Sequence, residues 1–219
     1  MNIETPVAYL SHFQHVVLTS VADSCQDLDI LGAMAQVAFA VAEQLHDDAS
    51  STYLLPAIHI SDLVGGGMHR VVTNTHLLPR GGDLPCVGFI SKKQVLIADE
   101  VQQNVTNADK NMLVELAQQP ALLSYSSLQL ADGNWCNLVI FAQDSAKKGI
   151  TTTALHQYAA FTLAPQYYQW IRLHHGTLSS AGATIELHVH TTKQYCFHKL
   201  PEPPLLTGTV LATPEVAAL

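Results

Sequence analysis

Residues 121–141 read ALLSYSSLQLADGNWCNLVIF, two strand-like runs that meet at Asp132-Gly133. Asp-Gly between two such runs is among the strongest short-range hairpin signals, because glycine accepts the positive φ that a tight turn demands. Two antiparallel strands are expected, with Asp132-Gly133 at their tip. Upstream, CVGFISKKQVLI (86–97) has the Val, Ile and Phe content of a strand. The stretch after it, TNADKNMLVELAQQP (106–120), predicts a helix. Thr106 is its cap, Asp109 lies in its first turn, Leu113, Leu116 and Ala117 recur on one face, and Pro120 stops it.

Downstream, Asp144 to about Leu163 turns helical again. Leu155, Tyr158, Ala159 and Thr162 are at helical spacing before Pro165, and Gly149 and Thr151–Thr153 weaken the first half. The extended runs YYQWIRLH (167–174) and ATIELHVHTT (183–192) follow, joined through Gly176–Gly182. In order this is β-α-β-β-α-β with one further strand, the ferredoxin-like split unit. The expected fold class is α+β, an antiparallel sheet with helices on one face.

The remainder of the 219 residues is less regular. FQHVVLTS (13–20) reads as a strand, and Asp27–His46 as a helix carrying Leu31, Met34, Ala38, Val41 and Leu45. TYLLPAIHIS (52–61) is extended, with Pro56 marking an edge or bulge, and HRVVTNTHLL (69–78) offers another strand. Residues 1–83 thus form an α+β half that partly echoes residues 84–200, as a diverged repeat would. PRGGDLP (79–85), however, leaves no room for a second helix between the halves. The proline-rich stretch 201–219 is expected to be an extended arm or a frayed terminus.

Hydrophobic residues make up 48% and charged residues 13%, so a full core is expected and long disorder is not. The net charge of −8, with ten scattered Lys and Arg, provides no basic stripe, which argues against nucleic acid as a partner. Ile30–Ala42 is the most apolar helical run, and it falls short of the ~20 residues that span a bilayer. MNIETPVAYL has no basic region leading into an apolar stretch, so the expected location is cytoplasmic, with no membrane partner. Cys25, Cys86, Cys136 and Cys196 stand far apart and read as isolated thiols.

Residues 84–197 resemble the small monooxygenase-type domains of the dimeric α+β barrel superfamily. The features that carry the resemblance are the order of elements, the Pro120-Ala-Leu-Leu-Ser-Tyr entry to the hairpin, NWCNLVIF as its return strand, and His156 on the following helix. The resemblance implies a cavity between sheet and helices that takes an apolar aromatic or polyketide-like molecule, or in larger relatives a haem held by one histidine. It also implies a barrel closed by the N-terminal half or by a second chain, hence a homo-oligomer.

Four residues are candidates for catalysis: His156, Tyr158, Arg172 and His174. His156 would be a general base or haem ligand because its pKa lies near neutrality, and the planar fork of Arg172 would anchor a carboxylate or enolate. Strand alternation puts Trp170, Arg172 and His174 on one face, and Glu186, His188 and His190 on one face of the next strand. Histidines two apart on a strand stand about 7 Å apart at the backbone. His174, His188 and His190 could therefore share zinc, copper or ferrous iron, with Glu186 orienting one of them. The competing reading makes His188 and His190 the wet face of a one-sided sheet, and His15, His59, His69, His76 and His156 structural. GGGMHR (65–70) reads as a loop over the barrel mouth, since no GxxxxGK[ST] or GxGxxG is present. GxSxG and HExxH are also missing.

Three functions remain open. They are a monooxygenase-type oxidoreductase acting on a small apolar molecule, a non-catalytic ligand-binding or stress-response protein, and a histidine-cluster metal enzyme. The cofactor is correspondingly none, haem or a divalent metal.

Overall fold

The computed structural model describes residues 24–47, 57–63, 67–73, 82–181, 184–197 and 208–211. Helix α1 (Ser24–Asp47) precedes strands β1 (Ala57–Leu63), β2 (Gly67–Thr73) and β3 (Asp83–Lys93). Helix α2 (Asp99–Ala117), β4 (Leu122–Gln129) and β5 (Trp135–Phe141) follow. Next come α3 (Ala146–Thr151), α4 (Ala154–Gln157), a π-helical turn (Tyr158–Leu163) and α5 (Ala164–Tyr167). The last strands are β6 (Tyr168–Ala181), β7 (Thr184–Cys196) and β8 (Gly208–Leu211).

The eight strands among the described residues join one sheet in the order β1-β2-β4-β5-β3-β6-β7-β8, antiparallel throughout. Its centre, β4-β5-β3-β6, is the arrangement of a β-α-β-β-α-β split unit, so the α+β reading holds. The hairpin closes as expected. Gly133 takes φ +80 and donates its N–H to the Leu130 carbonyl, while Asp132 accepts the Asn134 N–H at 3.1 Å.

The sheet has two covered faces. The α2 side carries the helices of the split unit, while α1 lies on the opposite side and packs Ile30, Leu31, Met34 and Val37 against Cys86, Ile90, Leu138, Ile140 and Leu178. Gly88 of β3 permits that approach, because a Cβ there would overlap the Leu31 side chain. Each such fully buried aliphatic side chain contributes about 1.5–3 kcal/mol, which seats α1 firmly.

Several local expectations are corrected. Helix α2 begins at Asp99 rather than Thr106, whose hydroxyl donates to the Gln102 carbonyl inside the helix at 2.9 Å. Asp99 and Glu100 favour the earlier start by facing the positive end of the helix dipole. Pro165 does not end the second helical region, because it sits in the first turn of α5, where its missing N–H is no loss. Gly67–Arg70 of the presumed loop lie in β2. Gly176 is inside β6 at a bulge, where a Cβ would overlap the His188 carbonyl, so the β6–β7 connection starts later than Gly176. From the C-terminal stretch, Gly208–Leu211 pairs with β7 as β8. The strand expected over residues 13–20, together with His15 and His76, lies outside the described residues.

Candidate functional site

Between the sheet and the α2 side helices lies a cavity of about 310 Å³, at the lower end of the ~300–1,000 Å³ usual for small-molecule sites. Its floor follows from strand alternation. Phe89 of β3, Tyr125 of β4, Trp135, Asn137 and Val139 of β5, and Ile171, Leu173 and His175 of β6 all face it. Val105, Ala108, Met112 and Leu116 of α2 make one wall. Ala159, Ala160, Leu163 and Ala164 make the roof. Alanines keep that roof thin, and the π-helical turn there is of a kind often found at functional sites.

Three residues of this apolar lining carry a buried polar atom with no hydrogen-bond partner among the described residues: Trp135 (Nε1), Asn137 (Oδ1) and His156 (Nδ1). Buried polar groups are nearly always paired, and an orphan costs about 1–3 kcal/mol. One indole donor, one amide oxygen and one imidazole nitrogen suit a ligand with hydroxyl or carbonyl groups. Thr153 fixes the turn that carries His156, its hydroxyl accepting the His156 backbone N–H at 3.2 Å. Burial lowers the His156 pKa, only partly opposed by Glu115, so its ring is neutral at pH 7.

A charged pair stands at the α2 wall. Asp109, which lines the cavity, forms an ion pair with Arg70 of β2. Arg70 also lies over the Trp135 ring at 5.4 Å and donates to Ser127 Oγ at 3.4 Å. Burial raises the Asp109 pKa, while the Arg70 charge pulls it back. Lys147 also lines the cavity, held at 2.6 Å by Asp144.

Of the residues singled out from sequence, His156 reaches the cavity. Tyr158 does not line it and is 43% exposed. Arg172 and His174 share a face as alternation requires, but that face is covered by α1. Arg172 grips Asp27 of α1 through Nε (2.5 Å) and Nη2 (2.6 Å), and lies over Trp170 at 4.2 Å. His174 Nε2 meets Asp27 Oδ2 at 2.9 Å, and its Nδ1 meets Thr192 Oγ1 at 2.9 Å. The fork expected to hold a ligand anion is thus occupied by Asp27, and the neighbouring His175 faces the cavity instead.

The metal expectation fails on the same geometry. His188 and His190 stand exposed on the other face of the sheet from His174, where His188 meets Glu186 at 3.5 Å and Ser179 Oγ at 3.3 Å, and His190 meets Thr177 Oγ1 at 3.3 Å. Among the described residues, no group of three His, Cys, Asp or Glu side chains could hold a metal ion. Haem fits the lining poorly too. His156 offers one nitrogen, but two propionates would find one lysine on the walls, Lys147, which already pairs with Asp144.

Trp135, Asn137 and Arg70 were not singled out from sequence, and Asp109 was read only as a first-turn residue of the helix. The one available signal was the spacing of Trp135 and Asn137, two apart on the return strand and hence on one face.

No protein-family model and no curated protein matches the chain. Among solved structures, it is similar to a candidate monooxygenase from Lactobacillus acidophilus NCFM (12% identity, TM-score 0.38), over 56% of this chain and 57% of that one. It thus spans little more than half that protein's length. It is also similar to a variant of SnoaB, a cofactor-independent oxygenase from Streptomyces nogalater (11% identity, TM-score 0.32), over 45% of this chain and 92% of that one. Among the described residues, no helix is long and apolar enough to cross a membrane.

Proposed function

We propose that this protein binds a small, flat, apolar molecule bearing hydroxyl or carbonyl groups in the cavity above β5 and oxidises it with dioxygen as a monooxygenase-type enzyme. The observation that carries the binding half is a mostly apolar cavity whose lining residues Trp135, Asn137 and His156 each carry a buried polar atom (Nε1, Oδ1 and Nδ1) with no hydrogen-bond partner among the described residues. The oxidative half is supported by the resemblance of residues 84–197 to small monooxygenase-type domains. In this reading Trp135 donates to a ligand oxygen, Asn137 accepts from a ligand hydroxyl, and neutral His156 hydrogen-bonds the ligand through Nδ1. The apolar walls exclude water, which strengthens each of these contacts.

Oxygen uptake by the purified chain with a panel of phenols and naphthols tests the proposal. The expected result is uptake matched by an oxygenated product, both reduced in Asn137→Ala. Tight binding of the same compounds with no oxygen consumed would leave a binding protein and overturn the oxidative half.

A further inference from the structure

Helix α2 turns Val105, Ala108, Met112 and Leu116 toward the cavity, and Asp109 falls within the same stripe. A carboxylate on an apolar wall is costly unless a counter-charge meets it, and a pair placed only for stability is often no better than apolar side chains of the same size. Arg70 supplies the counter-charge from β2, with a side chain 7% exposed. It engages Asp109 Oδ2, and no donor among the described residues is seen on Oδ1. The pair is therefore half-used, with one oxygen anchored and the other available to the cavity that Asp109 lines.

We propose that Asp109 is the proton acceptor for a hydroxyl-bearing aromatic ligand in this cavity, and that Arg70 is a positioning residue that holds the carboxylate in place. The inference rests on the cavity being the ligand site. In the step, the ligand O–H bond breaks and its electron pair stays on the ligand oxygen. The proton passes to Asp109 Oδ1, giving a neutral carboxylic acid. The negative charge thus moves from the carboxylate to the ligand, and the unchanged Arg70 guanidinium is left to stabilise the new anion. Asp109 returns the proton to water when the ligand leaves.

The surrounding groups favour Asp109 in this role. Tyr125 of β4 and Tyr168 of β6 face it, and burial raises the pKa of each, so both keep their protons. His156 on the roof is neutral and is the competing base, so naphtholate emission that persists in Asp109→Asn would point to it. Lys110, next to Asp109 on α2, and Arg70 across the wall both favour the ionised carboxylate, against burial.

The probe is 2-naphthol, a photoacid whose naphthol and naphtholate emission bands are distinct. In a dry pocket it passes its proton on excitation only to a base within hydrogen-bond reach. Quenching of tryptophan fluorescence reports binding to the full chain, and the ratio of the two bands reports proton transfer. Bound to wild type, the probe is expected to emit mainly as naphtholate. Asp109→Asn should bind it with naphthol emission only, and Arg70→Lys should keep part of the naphtholate band that Arg70→Leu loses. Should Asp109→Asn fail to fold, acidification of the wild-type complex still decides: naphtholate emission disappears as the carboxylate takes up one proton while the probe stays bound. An unchanged band ratio in folded Asp109→Asn, or in acidified wild type, overturns the role of Asp109 and leaves the cavity reading intact. Failure of wild type to bind 2-naphthol overturns both.

Discussion

Replacing Asp27 by alanine should cost about 3–5 kcal/mol, the range seen when one partner of a buried ion pair is removed. Asp27 is fully buried, and it accepts from Arg172 through two nitrogens and sits 2.9 Å from His174 Nε2. Its loss removes the carboxylate that faces two nitrogens of a guanidinium 3% exposed between α1 and β6. For a domain stable by about 5–15 kcal/mol, that is a large share. Urea unfolding followed by tryptophan fluorescence measures it directly, since Trp170 lies against Arg172. The triple change Asp27→Leu, Arg172→Met, His174→Leu should recover most of the loss, because it removes the charges together and fills the space with apolar atoms. Because the network is on the far side of the sheet, the recovered protein should bind 2-naphthol like wild type. A loss below about 1 kcal/mol for Asp27→Ala, as at a solvent-screened surface pair, would refute the claim that this network clamps α1.

Two further outcomes follow from burial. Burial lowers the His69 pKa to about 3, and lowers those of His59, His156 and His175 as well. A histidine kept neutral in the fold is protonated first in the unfolded chain. Stability is therefore complete above the unfolded value of 6.5 and falls with pH toward about 3. His69 alone should remove about 2 kcal/mol between pH 7 and pH 5, while Asp109, whose pKa is raised, works weakly the other way. Denaturation at pH 5 and 7 checks this, and equal stability would contradict it. Gly88→Val should cost about 1–3 kcal/mol by driving a side chain into Leu31. Leu31→Ala should relieve part of that cost in the double variant, a non-additivity that thermal melts can read.

The hairpin was legible because Asp132-Gly133 carries its turn chemistry within two residues. The helical breaks after Gly149 were legible because the residues there are poor helix formers. Alternation also placed Trp170, Arg172 and His174 together correctly, but period two does not say which layer covers a face. That was decided by Asp27, 145 residues away from Arg172 in sequence, and it moved Arg172 from ligand anchor to clamp. The same limit exchanged His174 for His175, adjacent residues on opposite faces. Trp135 and Asn137 read as ordinary strand residues, since what marks them is the lack of a partner in three dimensions. Arg70 was hidden by the glycines before it, which suggested a loop where β2 places a buried guanidinium.

The claim that the cavity above β5 is the ligand site is tested most directly by the position of a bound ligand. Anomalous scattering from 6-bromo-2-naphthol in crystals of the protein would locate one heavy atom. The account predicts a single bromine between the β5 floor and the Ala159–Ala160 roof, with the naphthol oxygen within hydrogen-bond reach of Asn137, His156 or Asp109. A bromine beside Arg172 and His174, or on the exposed face of His188 and His190 with the cavity unliganded, would contradict it.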